Sequence, residues 1–227
     1  MIISRGRRFI FVHIPKTGGT ALAAALEARA MKDDLLIGDT PKARARAGRL
    51  RGLQSRGLKT RGRLWKHSTL ADIDGLVGTK ELSQFTLVAL VRNPWDRLVS
   101  YYYWLGAQSF AHPAVGLAKT HAFSEFLNHS QTRMSLTLWP YTAYLRDAAG
   151  EERAAMFLRL EHLREDLAPF EAHLGFRLCL PRENASVRAA DWRHFYSDAD
   201  AGLVADLCAT DIARFGYGFD DPVPGRA

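Results

Sequence analysis

The unbroken apolar run Phe9-Ile10-Phe11-Val12 leads through His13-Ile14-Pro15 into Lys16-Thr17-Gly18-Gly19-Thr20. A continuous apolar run of this length, closed by a turn signal, reads as a buried strand. Residues 21–30 are rich in Ala, Leu and Glu, the strongest helix formers. Residues 7–30 therefore read as strand, glycine-rich turn and helix. Adjacent glycines let the backbone come close to a ligand. The amides that open the following helix point into the same space with the positive end of its dipole. Such a nest binds an anionic group, phosphate or sulfate above all. Thr17 and Thr20 would add hydroxyl donors, and Lys16 a mobile positive charge. The alternative is a tight turn with a solvated lysine.

The spacing excludes two familiar phosphate loops. The nucleotide-triphosphatase pattern G-x-x-x-x-G-K-[ST] puts its lysine after the last glycine, whereas Lys16 precedes both glycines and none lies between residues 9 and 15. The dinucleotide pattern G-x-G-x-x-G is also absent.

A second apolar run, 85–91, again predicts a buried strand and ends in Arg92-Asn93-Pro94. Pro94 fits the first turn of a helix with Asn93 as its cap, and residues 95–105 continue it. A third run, 154–160, precedes a helix over 161–174 that Gly175 ends. Residues 200–215 form an amphipathic helix carrying Leu203, Leu207 and Ile212, stopped by Gly216. Residues 68–76 read as a short helix after His67. Alternating strands and helices predict an α/β fold, a single domain over 1–227 with a central parallel sheet flanked by helices. In such a sheet the carboxyl ends of neighbouring strands face one crevice. Arg92 at a strand end and Ser100 on the next helix would then hold a second phosphate of the same ligand. Alternatively, Arg92 pairs with Asp96 and Ser100 merely packs.

Charge singles out one further segment. Ten basic residues and no acid fall within 42–66, while the rest of the chain carries 21 basic against 24 acidic residues. With four glycines and little apolar periodicity, this stretch predicts a long basic loop or lid at about 40–66, with room for one or two short helical turns. It reads as an acceptor-side segment, a nucleic-acid contact or a solvated surface. Aromatic interleaving is confined to Trp65, and no nucleic-acid motif accompanies it. The two cysteines, Cys179 and Cys208, lack metal-ligand spacing and read as buried reduced thiols. No apolar run approaches the roughly 20 residues that span a bilayer.

The motifs F-V-H-I-P-K-T-G-G-T and V-R-N-P-W-D-R-L-V-S-Y-Y together resemble the sulfotransferases that use 3′-phosphoadenosine 5′-phosphosulfate (PAPS), closest to the carbohydrate branch. Weaker similarity continues through F-L-R-L-E-H-L (157–163), N-A-S (184–186) and D-I-A-R-F-G-Y (211–217). The resemblance implies that Lys16, Thr17, Gly18, Gly19 and Thr20 cradle the 5′-phosphosulfate, and that Arg92 and Ser100 hold the 3′-phosphate. It also implies that a loop near 182–190, with Arg182 and Arg188, closes over the nucleotide. The chain as given lacks the membrane anchor of Golgi members, so a soluble, cytoplasmic, bacterial-type enzyme is expected, with a carbohydrate acceptor and neither nucleic acid nor metal.

Sulfuryl transfer needs a base for the acceptor proton and neutralisation of the charge on the leaving phosphate. Lys16 suits the second task. Histidine suits the first. Related carbohydrate sulfotransferases carry a functional His ahead of a similar helix, and the resemblance gives that role to His67 in W-K-H-S-T-L-A-D-I. Asp72 and Glu161 are further candidates, while His13 is expected to brace the loop. An ATP-dependent phosphotransferase of similar fold is the competing reading, with a non-enzymatic polyanion or nucleic-acid binder as a third. The phosphotransferase would carry a carboxylate at a strand end, where this sequence has Arg92.

Overall fold

The computed structural model describes residues 1–181 and 191–223. The chain runs through β1 (Ile2–Ser4), β2 (Phe9–Val12), α1 (Gly19–Ala28), β3 (Leu35–Leu36), α2 (Pro41–Ser55), α3 (Thr79–Leu82) and β4 (Thr86–Val91). Next come α4 (Pro94–Gly106), α5 (Pro113–Thr120), α6 (Phe123–Asn128), α7 (Ser130–Leu138) and a 3-10 turn at Tyr141–Leu145. Strand β5 (Ala155–Arg159), α8 (Leu163–Asp166), α9 (Ala168–Leu174), α10 (Asp198–Leu207) and α11 (Ala209–Phe215) complete the order.

Two compact units result. One is built on Met1–Val91 and the segment that starts at Tyr141, the other on Arg92–Pro140 and the described residues from Asp191. The first holds a five-stranded sheet in the order β3-β1-β2-β4-β5. Strands β2, β4 and β5 run parallel, with Phe11 opposite Val88 and Val88 opposite Met156. The α/β fold with a flanked central sheet is as expected. The sheet is not parallel throughout, because β1 pairs antiparallel with both β2 and β3. Strands of three and two residues carry too little alternation to be seen in sequence.

The runs of β2 and β4 are covered on both faces, whereas the edge strand β5 is mostly half-buried, with Leu158 its one buried residue. Phe9, Ile10, Phe11 and Val12 are all at most 3% exposed. Leu22 and Leu26 of α1, Val88 and Leu90 of β4, and Leu167 and Phe170 around α9 share their core. Phe170 meets Phe9 edge to face, with ring centroids 5.4 Å apart. In the second unit α4 packs on α5 and α6 through Leu105, Val115, Ala118 and Phe126.

Several expectations are corrected. Residues 41–55 are not a loop but helix α2: Thr40 accepts from Ala43 N at 3.1 Å and Pro41 occupies the first turn. Gly48 and Gly52 cost about 1 kcal/mol each relative to Ala, but Ala, Arg, Leu and Gln favour the helix around them. Long-range bonds fasten it. Lys42 donates to the Glu27 carbonyl, Arg46 to Met31 O at 2.7 Å and Arg49 to Lys32 O at 3.0 Å. These carbonyls lie at or just past the end of α1, where the helix dipole favours cations.

Residues 68–76 form successive turns rather than a helix. Thr69 and Asp72 cap one another as at a helix start, with Thr69 N to Asp72 Oδ2 at 2.7 Å. The carbonyls of Asp72 and Asp74 instead accept from Gly62 N and Arg61 N, which keeps them out of helical bonding. The helix expected over 161–174 breaks at Leu167, and that over 200–215 at Cys208; Gly175 and Gly216 end them at positive φ as anticipated. Cys179 is exposed, not buried. Burial pushes the Cys208 thiol up to about 12.

Truncating Phe170 to Ala removes a fully buried ring that α9 contributes to the sheet. Equilibrium urea denaturation is expected to show a loss of ~3–5 kcal/mol. A loss below about 1 kcal/mol would mean that α9 is not integral to this core.

Candidate active site

The turn between β2 and α1 is built from its own backbone. The Thr17 hydroxyl donates to Ile14 O at 2.9 Å and is fully buried, so it closes the turn from inside. Lys16 and Gly18 both take positive φ, 65° and 83°. For a lysine this conformation costs about 1–2 kcal/mol, a strain typical of ligand-binding turns. Alternating hand in successive residues turns their amides to one side, as in an anion nest. Glycine is required at 18 for a second reason: a Cβ there would lie 2.8 Å from Leu160 Cδ1. Gly18 and Thr20 are exposed and Lys16 is half-buried.

Helix α1 has no side-chain cap and no acid in its first turn. Helices α2 and α4 differ, capped by Thr40 and Asn93. The opening amides of α1 are therefore left for an external acceptor, which fits a phosphate or sulfate group.

His13 occupies the wall of this turn. Its ring is 7% exposed and stacks on Phe11, with centroids 5.6 Å apart. A Cβ on Gly19 would fall 2.4 Å from its Cδ2 and 2.6 Å from its Nε2, so the second glycine is required by the imidazole. The His13 carbonyl reaches the other way. It accepts from His67 Nδ1 at 2.7 Å, and the two rings meet edge to face at 4.8 Å. The fold thus brings His67 to the anion turn through His13. Trp65, 46% exposed, meets the far side of His67 at 5.0 Å.

A carbonyl can only accept, so the neutral His67 ring carries its proton on Nδ1 and its lone pair on Nε2. Burial lowers its pKa to about 4, against the smaller opposing effect of the His13 carbonyl. Burial also holds His13 well below its ordinary 6.5. Near neutral pH both rings are uncharged, and His67 has the form a proton acceptor requires.

The other predicted residues are placed as follows. Arg92 directly follows β4, and its Nε and Nη2 donate to Asp96 Oδ2 at 2.8 and 2.6 Å. Asp96 and Ser100 are 4% and 3% exposed. The anticipated alternative pairing is therefore present, in a helix whose N-terminus Asn93 caps by accepting from Trp95 N at 3.1 Å. Asp72 is engaged by Thr69 N. Arg182 and Arg188 lie outside the described residues. Roles that sequence reasoning missed fall to other histidines. His112 and His129 cap α5 and α7, and His173 joins Arg7 O at 2.8 Å to Thr86. Among the described residues no cluster of His, Cys, Asp or Glu is arranged to hold a metal, and no helix is long and apolar enough to cross a membrane.

An α/β sheet with a glycine-rich turn at the end of its central strand is compatible with many activities, and comparison with known families supplies the class. The sulfotransferase family model matches residues 1–142, well over half of the chain. The chain belongs to the sulfotransferase family. The matched stretch contains Lys16–Thr20, His67, Arg92 and Ser100. No curated protein and no solved structure matches the chain.

The depressed histidine pKa has a sign. Unfolded histidine binds a proton below about 6.5, whereas native His67 stays neutral to about 4. Native stability is therefore complete above about 6.5 and is lost as pH falls through that window. Replacing His67 by Asn is expected to flatten the decline of the unfolding midpoint between pH 6.5 and 4. Parallel curves for the two proteins would contradict the assigned protonation.

Proposed function

We propose that this chain transfers the sulfuryl group of PAPS to an acceptor hydroxyl of a carbohydrate. The observation that carries the reading is the pairing of an uncapped α1 anion turn with a neutral His67 tied to it through the His13 carbonyl. When bound, PAPS supplies the sulfuryl group and leaves as 3′,5′-adenosine bisphosphate.

In this reading the turn of Lys16, Thr17, Gly18, Gly19 and Thr20 holds the 5′-phosphosulfate through backbone amides. Lys16 and the α1 dipole neutralise charge developing on the leaving phosphate. His67 Nε2 takes the proton of the attacking hydroxyl, while the His13 carbonyl keeps its ring in the right tautomer. Arg92 and Ser100 serve the 3′-phosphate, with Asp96 orienting the Arg92 guanidinium, and Arg188 belongs to the same set by resemblance. No metal enters the proposal.

The acceptor side falls to α2 and the segment before His67. A groove lined by Asp39, Ala43, Ala47, Leu50, Trp65 and Lys66 among others runs beside the Trp65 ring that touches His67, and Lys66 Nζ is paired there with Asp39 Oδ2 at 2.6 Å. Arg44 and Arg51 are exposed on α2. The two arginines, rather than the groove itself, are the ground for an acceptor sugar that carries negative charge.

Calorimetric titration separates the readings. The bisphosphate is expected to bind more tightly than ATP or duplex DNA, and Arg92→Ala to weaken it at least about tenfold, as loss of a charged phosphate contact would. Preference for ATP would instead favour a phosphotransferase. His67→Ala is expected to keep bisphosphate binding and to lose about 10²–10⁴-fold in transfer rate. Near-normal turnover in that variant would move the base elsewhere.

A further inference from the structure

We propose that His13 is itself a ligand of the anion held at the start of α1, donating a hydrogen bond from Nε2 to an oxygen of the phosphosulfate, and is more than a brace for the turn. The proposal rests on the reading of that turn as the phosphosulfate site. Its starting point is a buried polar ring without a polar partner.

The His13 side chain is 7% exposed, yet neither ring nitrogen has a hydrogen-bond partner among the described residues. Its contacts are apolar or aromatic: Phe11 on one face, and the edge-to-face ring of His67. The bonding of His173, His112 and His129 shows what this fold does with an ordinary structural histidine, engaging each through a ring nitrogen. Among the described residues the fully buried side-chain nitrogens and oxygens without a partner are Asp34 Oδ1 and Trp192 Nε1, so the His13 ring nitrogens, though on a residue only 7% exposed, keep access to solvent and to a ligand.

Geometry supplies one. The Nε2–Cδ2 edge of the ring lies against Gly19, the first residue of α1, in the space that a Cβ would occupy. That edge therefore stands beside the helix amides that have no side-chain cap. An anion accepting from those amides has oxygens within the same small volume, and in the Nε2–H tautomer the ring presents a donor to them. The sheet and Phe11 fix the ring, so the bond requires little reorganisation. Lys16 contributes charge on a flexible stem, whereas His13 contributes a fixed neutral donor. Any side chain at position 19 would displace it, which gives the second glycine of the turn a ligand-linked role.

Two substitutions separate donor from brace. His13→Phe keeps an aromatic ring against Phe11 and His67 but has no nitrogen. His13→Gln loses the ring but carries an amide donor of similar reach. Calorimetric titration of the full chain with 3′,5′-adenosine bisphosphate is expected to show at least about tenfold weaker binding for His13→Phe, with Gln recovering most of the loss. Thermal melting of the ligand-free variants is expected to rank them the other way, Phe above Gln. Wild-type affinity in His13→Phe, or weaker binding by Gln than by Phe, would leave His13 a brace only. If His13→Phe does not fold, imidazole 15N spectra of the wild-type chain decide: the His13 Nε2 resonance is expected to shift on adding the bisphosphate, and an unchanged resonance overturns the proposal. Failure of the wild-type chain to bind the bisphosphate would be a separate result, removing the functional reading and this inference with it.

Discussion

The approach of the His13 ring to Gly19 sets the positions on which the candidate site depends. With hydrogen alone at position 19, the Nε2–Cδ2 edge of the imidazole lies against the opening residue of α1, with Phe11 and His67 as its ring neighbours. That placement turns the His13 carbonyl toward the segment after α2, where it takes the Nδ1 proton of His67. One residue thus joins the end of β2 to the start of α1 through its ring and to a histidine distant in sequence through its carbonyl. A larger residue at 19 would disturb the anion turn and the tautomer of His67 together, although it touches only the ring between them. Position 19 is constrained by packing, while its consequences are chemical.

Much of this framework is legible in the sequence, for local reasons. Strands β2 and β4 are continuous apolar runs because both of their faces are covered, and the half-buried edge strand β5 still carries an apolar run long enough to be read. Asn93 and Pro94 mark the start of α4, and Gly175 and Gly216 mark ends, because caps act within one turn. Helix α2 was hidden because its inward face is made largely of Ala43 and Ala47, which barely register as apolar, and because arginines suggested a solvated loop. The turns over 68–76 show the opposite failure. Thr69 and Asp72 carry a true helix-start signature, but main-chain partners at 61 and 62 take the carbonyls that would continue it. No local pattern contains that competition.

The site divides along the same line. The turn Lys16–Thr20 is visible as a motif, since glycine and positive φ belong to the residues themselves. The use of Thr17 is not, because only the folded turn shows its hydroxyl directed inward to Ile14. The link between His13 and His67 is invisible for a stronger reason: it runs through a carbonyl, which every residue possesses. The resemblance alone singles out His67, and the fold shows its half-buried ring held at Nδ1 by the His13 carbonyl.

Charge completes the argument. The excess of 42–66 first reads as a polyanion surface, but three of its cations are engaged in building the first unit. Lys42, Arg46 and Arg49 hold carbonyls at and beyond the C-terminal end of α1. They act where that dipole is negative, while its positive end stays uncapped at Gly18. Both ends of α1 are thus treated in keeping with its polarity, one by basic side chains and the other by leaving amides open. Helix α4 is arranged differently, its start closed by Asn93 and its Arg92 held by Asp96. An anion that meets α4 would meet an oriented guanidinium, whereas one that meets α1 would meet bare amides and an imidazole edge. Three cations of the basic segment thus anchor the helix whose opposite end opens at the glycine-rich turn.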